Sequence, residues 1–184
     1  MPITVGPITL HMGPDTIGGP DSLEAPIIAF IDAAQTELLV CVQELDHRPI
    51  ADALIAASRR GVRVRAIMEQ DYLREKNAPA PDSLGVQEIN RELLMRILRA
   101  GVDAKADYNP AIFHQKFMIR DRASVLTGST NFTTTGVTKN LNHICVIHDR
   151  EVAREYGREF RQLRQGIFGA RSLTTPRKPL EDHS

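Results

Sequence analysis

The 184-residue chain carries 23 Lys+Arg against 23 Asp+Glu, with 42% hydrophobic and 25% charged residues, 12 Gly, 11 Pro, 2 Cys and no Trp, an ordinary globular composition that excludes disorder, collagen-like repeats and a disulfide scaffold. Zero net charge supplies no global field toward nucleic acid or anionic lipid, so affinity for either must come from a local patch. The longest near-apolar stretch, Ala25 to Phe30, is far shorter than the ~20 residues that cross a bilayer, and no basic-then-apolar leader opens the chain, so a cytoplasmic protein without stable membrane insertion is expected.

Apolar runs alternating with helical periods predict βα repetition and an α/β fold, a mixed, mostly parallel β-sheet sandwiched between helices. Val5 to Met12 reads as a first strand and Gly13 to Asp21 as a loop. Ser22 is placed to cap a helix over Leu23 to Ala34, with Leu23, Ile27, Phe30 and Ile31 on one face, and Leu38 to Leu45 follows as a buried strand. Pro49 opens a second helix that Gly61 closes, and Val62 to Met68 is a strand with Val62, Val64 and Ala66 opposite Arg63, Arg65 and Ile67. Glu69 to Leu84 has no clean period and reads as a surface excursion. Helical period returns over Val86 to Ala100, followed by strands at Val102 to Ala106, Phe113 to Arg120 and Ser124 to Thr127, a Gly/Thr-rich loop, a strand at Leu141 to His148 and a helix from Asp149 onward. One domain over residues 1–171 is expected, with 172–184 a flexible tail or truncated linker. Cys41 and Cys145 lie in apolar runs and read as free buried thiols, a bridge being the minority alternative.

Chemistry concentrates in His114-Gln115-Lys116-Phe117-Met118-Ile119-Arg120-Asp121 and, six residues on, Gly128-Ser129-Thr130-Asn131. Residues two apart share a strand face, so His114 and Lys116 point together while Phe117 and Ile119 point into the core; Ser129 and Asn131 have the same spacing. An imidazole, an ammonium, a hydroxyl and a carboxamide suit a phosphodiester, whose oxygens accept several hydrogen bonds and whose transition state gains from fixed positive charge. A lone strand histidine is usually structural. The His-x-Lys-x4-Asp pattern with Gly-Ser-x-Asn at fixed distance, however, arises by chance only on the order of a few times in a million chains of this length.

On these residues the sequence resembles the phospholipase D superfamily over most of its length. The resemblance implies a phospholipase D-like fold, catalysis without metal or other cofactor, and a two-step mechanism. His114 would attack phosphorus to give a phosphohistidine, and a second histidine from an equivalent motif would protonate the leaving oxygen and then activate water. Lys116 and Asn131 would hold the phosphate oxygens, with Ser129, Gly128 and Thr130 beside them, and Asp121 would fix the turn rather than touch substrate. The motif occurs once, because His11, His47, His143, His148 and His183 each lack a Lys two residues later. A homodimer with two motifs facing across a two-fold axis, as in small single-motif nucleases of the family, would complete the site. The alternative is a second motif-bearing half, since Val42-Gln43-Glu44-Leu45-Asp46 and Tyr108-Asn109-Pro110 look like the first half of two-motif bacterial proteins.

The resemblance breaks at Lys139-Asn140-Leu141-Asn142-His143, where the family often has a carboxylate that Asn142 replaces. An amide oxygen still accepts an imidazole N–H but stabilises imidazolium less. Glu44 is the candidate substitute carboxylate, and His143 a further candidate neighbour. Arg59, Arg60, Arg63 and Arg65, and Arg154, Arg158, Arg161 and Arg164, could track a nucleic-acid backbone, but Glu151, Glu155 and Glu159 interleave the second set and favour a solvated, ion-paired face. The leading expectation is a nuclease acting on DNA or RNA, most simply an endonuclease. The alternatives are a phospholipase D or phosphatidyl transferase, and a weakly active or non-catalytic half that binds a partner motif.

Overall fold

The computed structural model describes residues 1–69, 86–107 and 112–167. The Glu69 to Leu84 excursion beyond its first residue, Tyr108-Asn109-Pro110 and the expected tail lie outside the described residues. In chain order the elements are β1 (Ile3–Val5), β2 (Ile8–Gly13), α1 (Glu24–Asp32), β3 (Glu37–Val42), α2 (Arg48–Arg59), β4 (Arg63–Glu69), α3 (Val86–Arg99), β5 (Asp103–Asp107), β6 (Lys116–Arg120), β7 (Ser124–Gly128), α4 (Thr134–Thr138), β8 (Asn142–Ile147) and α5 (Arg150–Arg164).

The strands form one eight-stranded sheet in the order β1-β2-β8-β7-β6-β3-β4-β5. Only the β3–β4 and β4–β5 pairs are parallel; every other neighbouring pair is antiparallel. The expectation of a mostly parallel sheet is therefore corrected to a mostly antiparallel one. A parallel neighbour requires a crossover connection, and only α2 and α3 supply one within this sheet. The expected single first strand is a hairpin instead, β1 paired with β2, because Gly6 adopts φ 53 and reverses the chain. Phe113 to Gln115 lie ahead of β6 rather than within it. The short α4 was not foreseen in the Gly/Thr-rich loop. It starts where the Thr133 hydroxyl accepts the Gly136 N–H at 3.0 Å.

Two-residue alternation divides the core between the faces. Leu38, Val40, Val42, Val64, Ala66, Met68, Met118, Leu126, Ile144 and Val146 pack with α1, α2 and α3. Leu39, Cys41, Ile67, Phe117, Ile119 and Val125 pack on the other face with Ala153, Phe160 and Leu163 of α5, and Phe117 meets Tyr156 edge-on at 5.0 Å. The Asp149 carboxylate caps α5 by accepting the Glu151 and Val152 N–H groups at 2.7 and 2.9 Å. Both cysteines are free; Cys41 is buried, which pushes its thiol pKa up, and Cys145 is half-buried. No helix of the described residues is long and apolar enough to cross a membrane.

Candidate active site

Antiparallel pairing gathers the motif residues at one edge of the sheet. Val42 at the end of β3 faces Lys116 at the start of β6, while Gly128 at the end of β7 faces Ile144 near the start of β8. His114, Lys116, Gln43, Glu44, the segment from Ser129 to Asn131, and Asn142 with His143 all lie at that edge. The Leu45–Phe132 bridge and the N–H groups of Asp46 and His47, which donate to the Phe132 carbonyl at 3.2 and 3.1 Å, tie the exit of β3 to the segment after β7.

Lys116 is buried at 8% exposure. Its Nζ donates to Gln43 Oε1 at 3.0 Å and to the His114 carbonyl at 3.3 Å, which leaves one N–H for a further acceptor. Burial lowers the ammonium pKa, and the nearby Glu44 carboxylate acts against that shift. His114 is exposed, at the end of a segment anchored where the Phe113 N–H donates to the buried carboxylate of Glu69. Asn131 Oδ1 is buried with no hydrogen-bond partner among the described residues, the state of a polar atom awaiting a donor from outside the chain.

Ser129, Thr130 and Asn142 interlock. Ser129 Oγ donates to Asn142 Oδ1 at 2.8 Å and accepts the His143 N–H at 3.1 Å. Asn142 Nδ2 donates to Thr130 Oγ1 at 3.3 Å and to the Gly136 carbonyl at 2.9 Å. The Asn142 amide thus shapes the 129–136 loop rather than pointing an acceptor at His114. Gly128 is there for close approach: a Cβ would lie 2.1 Å from the His143 carbonyl oxygen. His143 is exposed beside this network.

Asp121 stands apart, at the opposite end of β6. It and Arg122 adopt φ 51 and 54 in the β6–β7 turn. Its carboxylate accepts the N–H groups of Gln35, Thr36 and Glu37 at 3.0, 2.8 and 3.0 Å and the Thr36 hydroxyl at 2.8 Å. Burial alone would raise its pKa; the backbone donors from Glu37, Thr36 and Gln35 outweigh that and hold it below the usual carboxylate value.

Sequence reasoning quoted Gln43 without giving it a role, and it missed Glu69. The available signal was a polar residue directly after an apolar run, Gln43 after Leu38 to Val42 and Glu69 after Ala66 to Met68. It also missed the brace in which His47 Nε2 meets Glu24 Oε2 at 2.6 Å and Nδ1 meets Thr134 Oγ1 at 3.2 Å, holding the β3 exit against α1 and α4. The surface arginines are largely paired within the chain. Arg154 lies 3.6 Å from both Glu151 and Glu155, Arg158 2.9 Å from Glu155, and Arg164 2.7 Å from Asp103.

The family model described as "Cardiolipin synthase, PLD-like domain" matches residues 27–164. A phospholipase D from Rickettsia felis is 32% identical over 126 residues, covering 68% of this chain and 56% of that protein. A mitochondrial cardiolipin hydrolase from Xenopus tropicalis is 30% identical over 145 residues, covering 79% and 62%. The chain therefore spans somewhat over half the length of these curated relatives. The crystal structure of a phospholipase D family member, Nuc, from Salmonella typhimurium superposes with a TM-score of 0.72 at 24% identity, over 86% of this chain and 94% of that one.

Proposed function

Because the chain belongs to the phospholipase D-like family, we infer that it is a metal-independent phosphodiesterase that works through a phosphohistidine, with nucleic acid as its substrate. The observation that carries this reading is the convergence of an exposed His114, a buried Lys116 and Asn131, whose Oδ1 has no partner among the described residues, at one end of the sheet. His114 is the nucleophile toward phosphorus. The third Lys116 N–H is available to a phosphate oxygen, Asn131 would meet one through its Nδ2–H rather than through the accepting Oδ1, and partial desolvation strengthens the ammonium's pull on the charge that develops there. Gln43 fixes the Lys116 rotamer, and Glu44, beside that ammonium, is the carboxylate able to orient the His114 ring.

With one motif per chain, the acid that protonates the leaving oxygen comes from a second copy. Ile112 and Leu141, exposed at 63% and 81%, and Met12 beside His143 in the β2–β8 register offer apolar surface for that copy next to the motif. The nucleic-acid reading is supported by the polar character of the mouth, with His114, Ser129, His143 and the exposed Lys139-Asn140 pair at its rim. A second reading, hydrolysis of a phosphatidyl lipid, is supported by the same apolar residues and by the names of the curated relatives.

The test is cleavage of single- and double-stranded DNA and RNA, beside bis(p-nitrophenyl) phosphate and a phosphatidyl lipid, in excess chelator, with His114→Ala as control. Chelator-resistant nucleic-acid cleavage that falls by at least ~10⁴-fold in the variant is expected. Turnover of lipid alone transfers the assignment to the second reading, and no turnover on any substrate overturns both.

A further inference from the structure

Away from the motif, α1 leaves part of the sheet uncovered, and a groove of about 270 Å³ opens between Thr9 and His11 of β2, Val146 and His148 at the end of β8, Arg120 of β6, and Pro26, Ala29 and Phe30 of α1. Arg120 is the residue that gives this groove its chemistry. Its guanidinium carbon lies 4.6 Å from the centre of the Phe30 ring, and among the described residues the guanidinium makes one long hydrogen bond, from Nη2 to Ser124 Oγ at 3.4 Å. Among the described residues no carboxylate lies within ion-pair distance of it. The neighbouring Asp121 is occupied instead by the amides of Gln35, Thr36 and Glu37. A guanidinium stays charged at any physiological pH, so this is a half-buried cation held over an aromatic ring with most of its donors unused among the described residues.

The second polar wall follows from the first. Ser124 Oγ sits 2.9 Å from His148 Nδ1. Either atom is able to donate in that contact, because the hydroxyl oxygen has room for a second donor besides Arg120. His11, half-buried on β2, adds a second imidazole. Burial lowers its pKa, with the charge of Asp21 acting against that shift. The rest of the lining is apolar: the Phe30 ring, Pro26, Ala29 and Val146.

We propose that this groove binds a small organic oxyanion, a phosphate monoester or carboxylate joined to a planar or apolar group, at a site separate from the catalytic edge. The two oxygens of such an anion match the Arg120 fork, the His11 and His148 imidazoles line the polar side of the groove, and the apolar group lies on Phe30 and Val146. Arg120 stands at the far end of β6 from Lys116, about 13 Å away at ~3.3 Å per residue, so one small ligand does not reach both.

Titration of the ¹⁵N-labelled full chain with phenyl phosphate, benzoate and inorganic phosphate, followed by amide chemical shifts, separates the two sites by residue. Ala29, Val146 and Ile147 report the groove, and Phe117 and Thr130 report the catalytic edge. Phenyl phosphate or benzoate is expected to shift the groove amides saturably, and Arg120→Gln to weaken that response by about tenfold or more while leaving the catalytic-edge response unchanged. Ala29→Phe, which fills the groove and keeps Arg120, is expected to abolish it. A preference for phenyl phosphate over benzoate identifies a phosphate monoester as the ligand, and the reverse identifies a carboxylate. Absence of a saturable groove response to either organic anion at 10 mM or so, or a response indifferent to both substitutions, overturns the proposal. A response to inorganic phosphate equal to that of the organic anions removes the role of the apolar wall and overturns it as stated.

Discussion

Carried two residues past the Val42–Lys116 pair, the β3–β6 register would set Glu44 opposite His114, and the Gln43 N–H, which donates to the Gln115 carbonyl at 3.0 Å, extends the pairing one residue in that direction. Directly opposed residues bring their Cβ atoms within ~5.5 Å, which is within reach of a carboxylate–imidazole hydrogen bond. Asn142, the residue at the family's acid position, has its amide committed to Ser129, Thr130 and Gly136. Glu44→Gln therefore separates the two candidates. Loss of the carboxylate removes a stabiliser of imidazolium and of the Lys116 ammonium, whose pKa burial already lowers and Glu44 raises. The alkaline limb of the rate profile should move to lower pH, since Lys116 without the Glu44 charge loses its proton sooner. The maximal rate should fall by about 10–100-fold. A profile unmoved in Glu44→Gln but displaced in Asn142→Asp would return the orienting role to position 142.

At the scale of elements, the last residue of the His-x-Lys-x4-Asp pattern works for the fold. Asp121 collects three consecutive backbone N–H groups at the start of β3 while sitting at positive φ in the β6–β7 turn, so one carboxylate ties the α1–β3 connection to the hairpin that carries Lys116. Its pKa is held below the ordinary value of 3.8, so its contribution is complete above that value and is lost as the pH falls through the lower, folded-state one. Asp121→Asn is expected to cost about 1–3 kcal/mol in urea unfolding at pH 7, with the gap from the unsubstituted chain narrowing below pH ~4; a constant gap down to pH 2.5 or so would contradict the carboxylate's role. The same element shows what was legible in the sequence. Lys116, Phe117 and Ile119 could be assigned to faces because period two leaves no other choice, and Ser22, Pro49, Gly61 and Asp149 marked helix ends through local chemistry. Sheet direction was not legible, because an apolar run such as Leu38 to Val42 reads the same in either sense and only the pairing partner decides. Nor was the work of Gly128 or Asn142, which depends on the backbone of β8 lying against β7, a contact set by the assembled sheet.

At the scale of the whole molecule, the question is how many chains make one site. The structure gathers an imidazole, an ammonium and a carboxamide with an Oδ1 unpartnered among the described residues at one end of the sheet, while the proposed two-step chemistry would need a second group to protonate the leaving oxygen and then to activate water. On the proposed reading a second copy would supply that group, against the surface offered by the exposed His114, by Ile112 two residues before it and by Leu141 next to Asn142, both largely in solvent. Composite and independent sites give different dilution laws. When unsubstituted chains are mixed with His114→Ala chains and allowed to exchange, independent sites lose activity in proportion to the fraction replaced. Composite sites require an intact histidine from both copies and lose it as the square, so an equal mixture retains about one quarter of the original activity rather than about one half. Because His114 is exposed, the substitution leaves the interface chemistry of Ile112, Leu141 and Met12 in place and mixed assemblies should form as readily as pure ones. The expected outcome is the quadratic law after exchange, verified by native mass spectrometry of mixed dimers. A linear law in a sample where mixed dimers are present would mean that each chain completes its own chemistry, and the second proton donor would then have to be sought at the same edge, with His143 the imidazole already standing there.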